Sequence, residues 1–215
     1  MPLYKTIPLD DNTTIYVWKV TESEADLLAD VTLSNNSIQR LQHMKSELHR
    51  RGYLSIRHLL RTAGVSDLQL YYDEYGKPHL DTGDYISITH SFHFTGIIVS
   101  KTTPVGIDIE MQREKIERIA HRFVPIEYLS TIKLSPNFTR LLTVNWGAKE
   151  ALYKIYAQPG LSFLEHIFIA PVHLGRKKVK GAVYYDNDKV NYNIQFFEME
   201  NFTCVFALQE SLNPE

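Results

Sequence analysis

Val105-Gly106-Ile107-Asp108-Ile109-Glu110 is the stretch on which the reading of this chain turns. Its apolar residues at 105, 107 and 109 alternate with the others, as in a strand whose successive side chains point to opposite faces. That places the carboxylates of Asp108 and Glu110 on one face, two residues apart, where they repel unless something positive lies between them. One resolution is an amphipathic edge strand with a solvated acidic face. The other is a divalent cation, because hard oxygen donors at this spacing suit Mg²⁺, which takes one or two carboxylates together with substrate phosphates. The hexapeptide alone leaves both open.

A second stretch bears on the choice. Asn145–Lys154, NWGAKEALYK, has the pattern of a helix, and Trp146, Glu150 and Lys154 fall at i, i+4 and i+8 on one face. Ala148, Leu152 and Ile155 are expected on the face turned to the core. Glu150 followed by Lys154 makes a good helical ion pair, which is the bland explanation. The sharper one makes Glu150 a third oxygen ligand, so that a helix carboxylate meets the strand pair in an acidic pocket.

Composition bounds the alternatives. With 215 residues, the chain is one large domain or two small ones. Lys+Arg number 23 against 25 Asp+Glu, a formal charge of −2, which lacks the basic excess of a general nucleic-acid binder. The one cysteine, Cys204, lies in the apolar run FTCVFAL and is expected to be a buried small hydrophobe. A single thiol excludes an internal disulfide and a multi-cysteine metal site. No apolar run of about 18 residues is present to span a membrane. The first twenty residues carry early acids and no apolar core of a signal peptide, so a cytoplasmic location is expected.

Along the chain, TTIYVWKV (13–20) reads as a strand, and Thr21 with Glu24 has the form of a capping box opening a helix. Residues 35–64 read as helical, with a break at Gly52 and a stop at Gly64. LQLYYDEYGKPHL (68–80) runs as a strand into a Gly-Lys-Pro turn. Residues 85–101 alternate and form a hairpin folded near Ser91–Phe94. Residues 113–123 and 125–134 read as helical. Ser135 as N-cap and Pro136 as first helical residue open a long helix ending near Gln158. The remainder, 167–209, is strand-rich, with DNDK (186–189) as a hairpin loop. FTGIIVS (94–100) and FTCVFAL (202–208) echo one another faintly.

Basic groups gather between 40 and 61, where Arg40, Lys45, Arg50, Arg51, Arg57 and Arg61 face only Glu47 in opposition. Such a run is a solvated face or a polyphosphate site. Lys77 in YGKPHL and His90 in SITHS could add donors, although a histidine in a strand is more often structural.

Taken in order, YGKPHL, ISITHS, VGIDIE and WGAKEALYK resemble the motifs of the 4′-phosphopantetheinyl transferase superfamily, and the Glu-Tyr pair of RFVPIEY fits the segment between the last two. The resemblance runs from about residue 71 to residue 165, and the chain length is similar to that of the longer, single-chain type that activates synthetase and fatty-acid carrier domains. It implies an α+β fold of two similar α/β halves related by a pseudo-twofold, here 1–103 and 104–215, with coenzyme A bound in the cleft between them. The implied activity is Mg²⁺-dependent transfer of the 4′-phosphopantetheine arm of coenzyme A to a serine of an apo acyl or peptidyl carrier protein, releasing 3′,5′-ADP. Mn²⁺ is the alternative metal.

Carried over residue by residue, the resemblance makes Asp108, Glu110 and Glu150 the metal ligands and sets Lys154 near the pyrophosphate. His90 would contact phosphate and Lys77 the nucleotide. Glu127 resembles a general base for the serine hydroxyl, with Glu150 competing for that role. Arg51 and Arg57 both fit an arginine gripping the 3′-phosphate. The protein is expected to be a monomer with no nucleic-acid or membrane partner. A non-catalytic coenzyme A or carrier-binding module of the same fold is the alternative, disfavoured because Asp108, Glu110, Glu150 and Lys154 are all present. A phosphohydrolase would need a nucleophile motif that does not accompany the acids.

Overall fold

The β-branched and aromatic run at 13–19 forms a central strand of the first half of the chain, as its alternation requires. The computed structural model describes residues 3–210, which fall into two compact units divided between Thr102 and Thr103. The first unit opens with β1 (Leu3–Pro8) and β2 (Thr13–Lys19), followed by helices α1 (Glu24–Ala29), α2 (Asn35–His43) and α3 (Glu47–Thr62). A short hairpin of β3 (Leu70–Tyr72) and β4 (Pro78–Leu80) precedes the longer hairpin of β5 (Tyr85–Ser91) and β6 (Phe94–Ser100). The main sheet is antiparallel in the order β1-β2-β6-β5.

In β2, Thr13, Ile15 and Val17 are buried alternately, as period two demands. Leu54, Leu59 and Leu60 of α3 pack with Trp18, Ile86 and Ile97 of the sheet in one core. Each fully buried aliphatic side chain there contributes about 1.5–3 kcal/mol. β1 was not expected from the sequence because it is an edge strand, mostly exposed, and shows no apolar alternation.

Two helix boundaries differ from expectation. The capping box of α1 is Ser23 with Asp26, not Thr21 with Glu24, and Glu24 instead pairs with Arg50 at 2.8 Å. The break between α2 and α3 falls at Met44–Ser46, where the Ser46 side chain caps α3 by accepting from the His49 amide. Gly52 lies inside α3, buried against Thr95. A side chain that caps a fresh helix outweighs one glycine, whose helix penalty is only about 1 kcal/mol. Gly64 does end the helix, at φ +78°, with the Val65 amide returning to the Leu60 carbonyl.

The second unit begins with β7 (Val105–Met111), then a 3-10 segment (Glu114–Arg122), α4 (Ile126–Ile132) and α5 (Phe138–Tyr156). The strands β8 (Ile167–Ile169), β9 (Lys178–Tyr185), β10 (Asp188–Met199) and β11 (Phe202–Gln209) complete it. Its sheet is antiparallel in the order β7-β11-β10-β9-β8. The two residues joining β9 to β10, Asp186 and Asn187, both have positive φ, the conformation of a tight hairpin turn. The segment 114–122, within the stretch expected to be helical, is a 3-10 helix, which matches apolar pairs three residues apart, Ile116–Ile119 and Ala120–Phe123. α5 starts later than expected, after Asn137, because Ser135 Oγ accepts from the Asn137 amide in a preceding turn. Cys204 is buried in β11, as expected of a small hydrophobe.

α5 lies across β7 and β11, and a glycine sets how closely. A Cβ on Gly106 would stand 2.1 Å from the Ala151 carbonyl oxygen, so the helix backbone rests directly on the strand there. Gly147 allows the same closeness from the helix side, where a Cβ would meet Val205 Cγ2 at 2.7 Å. Val144, Ala148, Leu152 and Ile155 of α5 are buried in the core of this unit together with Val205 and Ala207.

Candidate active site

Gly106, Asp108 and Glu110 alternate along β7 and share the face on which α5 rests. Asp108 is only 5% exposed, so the solvated acidic edge allowed by the hexapeptide is not what the strand adopts. The carboxylates lie under the helix. α5 meets them with the side chains expected of its polar stripe. Lys154 Nζ donates to Asp108 Oδ1 at 2.7 Å and to the Ile107 carbonyl at 2.8 Å. Trp146 Nε1 donates to Glu110 Oε1 at 3.3 Å. Asp108 Oδ2 is buried beside Gly147, 3.6 Å from where a Cβ would be.

Burial and mutual charge act together on these acids. Burial first, then the charge of Asp108, pushes Glu110 up to about 7, with Glu150 adding to the push and Trp146 and Lys154 opposing it. Glu150 is likewise raised to about 7, by burial and then by Asp108, against Lys154. Three carboxylates that feel one another in a half-buried place, with no sulfur ligand, have the donor chemistry of a hard divalent-cation site. Among the described residues, no three acidic, histidine or cysteine side chains are gathered closely enough to form a ready-made metal cluster. In their place the Lys154 ammonium supplies the positive charge on Asp108.

Lys149, beside Glu150 on α5, points the other way. It is 2% exposed and donates to the Phe163 carbonyl and, at 2.6 Å, to the Ile167 carbonyl. Burial pulls its pKa down to about 8. It therefore ties α5 to the segment that enters β8. Glu127 stands apart from the acidic group in the first turn of α4. It is exposed and lines a pocket of about 320 Å³ with His121, Val124, Pro125, Ile126 and Leu164.

In the first unit, Lys77 follows the β3–β4 turn, with its amide donating to Asp73 Oδ1 at 2.9 Å, and burial lowers its side-chain pKa. His90 is exposed on β5, with the His49 ring of α3 at 6.2 Å. The two candidate arginines separate sharply. Arg57 is 4% exposed. It pairs with Asp67 at 2.9 Å, donates to Ser37 Oγ and the Tyr53 carbonyl, and stacks on the Tyr53 ring. Its guanidinium joins α2, α3 and the 3-10 turn at Asp67, whereas the expectation placed it, or Arg51, on a phosphate. Arg51 is half-buried, and its Nε makes no hydrogen bond.

A mixed α/β fold whose second unit presents an acidic strand to a Trp-Glu-Lys helix stripe defines the class of protein. The chain belongs to the 4′-phosphopantetheinyl transferase superfamily, whose model matches residues 104–212. Among solved structures, the holo-acyl-carrier-protein synthase of Thermotoga maritima is similar at 17% identity and a TM-score of 0.42. That match covers 51% of this chain and 65% of the other, so the chain spans slightly less than two thirds of that neighbour's length. No curated protein sequence matches. No helix among the described residues is long and apolar enough to cross a membrane.

Proposed function

We propose that this protein transfers the 4′-phosphopantetheine arm of coenzyme A to a serine hydroxyl of an apo acyl or peptidyl carrier protein, as a holo-acyl-carrier-protein synthase does, releasing 3′,5′-ADP. The observation that carries the reading is the meeting of Asp108 and Glu110 on β7 with Trp146 and Lys154 on α5, inside the segment that matches the family.

Asp108, Glu110 and Glu150 would hold Mg²⁺, or Mn²⁺ in its place. When bound, the ion neutralises charge on the pyrophosphate and on the departing phosphate. Burial first and then the neighbouring carboxylate charge raise Glu110 and Glu150, and a cation would offset that charge. Lys154 orients Asp108 and offers an ammonium to the coenzyme's phosphates. The serine oxygen attacks the phosphorus nearer the pantetheine, the bond to 3′,5′-ADP breaks, and the serine proton passes to a carboxylate. Glu127 is the reading for that base. Glu150, raised toward neutrality, competes with it. His90, Lys77 and Arg51 would contact the phosphates and nucleotide of coenzyme A.

The test is mass spectrometry of apo acyl and apo peptidyl carrier proteins incubated with the protein, coenzyme A and Mg²⁺. A gain of one phosphopantetheine arm is expected on at least one carrier, and chelation should abolish it. Binding of coenzyme A with no modification of either carrier class would instead support a non-catalytic binding module. In the productive assay, Glu127→Gln and Glu150→Gln compared over pH would separate the two candidate bases.

A further inference from the structure

Trp146 is the least explained residue of the acidic group. Its ring is held on two sides, edge-on to Phe123 at 5.1 Å and tilted against Phe163 at 5.3 Å. Phe163 is fixed in turn, by the Tyr153 ring at 5.4 Å and by the buried Lys149 ammonium on its carbonyl. The result is a chain of contacts from Lys149 through Phe163 to the indole, which ends on Glu110 Oε1 at 3.3 Å.

The chemistry of that last contact is one-directional. An indole N–H donates and never accepts, so it can hold a carboxylate oxygen but cannot ligate a cation itself. Glu110 lies near the end of β7, half-buried, on a side chain with several rotatable bonds. One donor on Oε1 removes most of that freedom and leaves the other oxygen of the same carboxylate to face a cation.

We propose that Trp146 is a positioning residue for the divalent-cation site, its indole N–H setting the Glu110 carboxylate for an ion shared with Asp108 and Glu150, and that Phe123 and Phe163 set the indole. The inference rests on the metal reading of the proposed function. Groups that orient a ligand from behind typically change metal affinity by about 10–100-fold when removed.

Direct binding of Mn²⁺ to wild type and to Trp146→Phe, followed by the paramagnetic resonance of free Mn²⁺, tests it without reference to activity. Phenylalanine keeps an aromatic ring between Phe123 and Phe163 and deletes the N–H. The expected result is binding weaker by roughly 10-fold or more, with the metal-free thermal midpoint little changed. A second measurement needs no variant. The chain has 2 tryptophans, giving two indole N–H signals in a ¹⁵N–¹H spectrum. Trp18, whose indole donates to Glu22 at 3.4 Å in the first unit, is the internal reference. Titration with Mg²⁺ should move the Trp146 signal and leave that of Trp18 in place. Equal Mn²⁺ affinity in both proteins, or a stationary Trp146 signal while Mg²⁺ binds, overturns the inference and leaves the metal reading standing. Failure of the wild type to bind either ion removes the metal reading and this inference with it.

Discussion

Lys154 Nζ sits 2.7 Å from Asp108 Oδ1, joining the last turn of α5 to the middle of β7. The Asp108 side chain is 7% exposed and that of Lys154 27%, so the pair is largely shielded from water. Lys154→Met should leave a buried carboxylate without its ammonium and lower stability by about 1–3 kcal/mol, read as the urea midpoint in metal-free buffer. Saturating Mg²⁺ should restore more stability to the variant than to wild type, because a bound cation replaces the missing charge. An unchanged midpoint without metal would show that Asp108 needs no counter-charge.

Two glycines should respond to alanine with opposite signs. At Gly106 a Cβ would lie 2.1 Å from the Ala151 carbonyl, and backbone cannot yield cheaply there. Gly106→Ala should destabilise by about 1–3 kcal/mol or more through overpacking and should also disturb the acids two and four residues on. At Gly52 the nearest atom is Thr95 Cγ2 at 3.8 Å, an ordinary contact, inside a helix. Gly52→Ala should be neutral or stabilising by up to about 1 kcal/mol. Denaturant unfolding of both variants checks the pair, and equal effects would contradict the packing.

The arginines on α3 offer a second contrast. Arg57→Ala strands the buried Asp67 carboxylate and should cost about 3–5 kcal/mol of stability. Arg51→Ala should leave unfolding nearly unchanged and weaken coenzyme A binding, measured by calorimetry. A normal coenzyme A affinity in Arg51→Ala would remove Arg51 from the proposed phosphate contacts.

Glu198 sets an acid limit on the second unit. Arg140 chiefly, with Lys177 and Gln112, holds it down to about 2 against the opposing effect of burial. An unfolded glutamate titrates near about 4.3. The folded state therefore binds this proton less tightly, and the stabilisation is complete above about pH 5 and is lost as the pH falls through about 2. Because the Arg140 and Lys177 side chains are 39% and 45% exposed, solvent screening reduces it to about 1 kcal/mol. Glu198→Gln should be less stable than wild type near pH 6, with the gap narrowing below about pH 4 and closing as the pH falls through about 2. Asp67, also held low, is common to both proteins and cancels. A gap that persists at low pH would trace the loss to something other than charge.

Much of the site could be read along the chain because it obeys local periods. A period of two places Asp108 and Glu110 together, and a period of 3.6 places Trp146 with Glu150 and Lys154. The failures are equally local. Thr21 with Glu24 has the capping-box pattern, yet the reciprocal bonds form between Ser23 and Asp26, while Glu24 pairs with Arg50, a partner 26 residues away that no local pattern shows. Arg51 and Arg57 share one helix and one charge. Which of them is consumed by a carboxylate depends on Asp67, a residue beyond the helix end.

The amino-acid sequence by itself determined that two carboxylates share a strand face and that a Trp-Glu-Lys stripe follows on a helix, because side-chain direction along a strand or helix is a property of the backbone period alone. Only the tertiary structure decided that the acidic face is buried rather than solvated, that Lys154 pairs with Asp108, and that Trp146 reaches Glu110. Those outcomes depend on the approach of α5 to β7 at Gly106, a distance between segments far apart in the chain that no local pattern encodes.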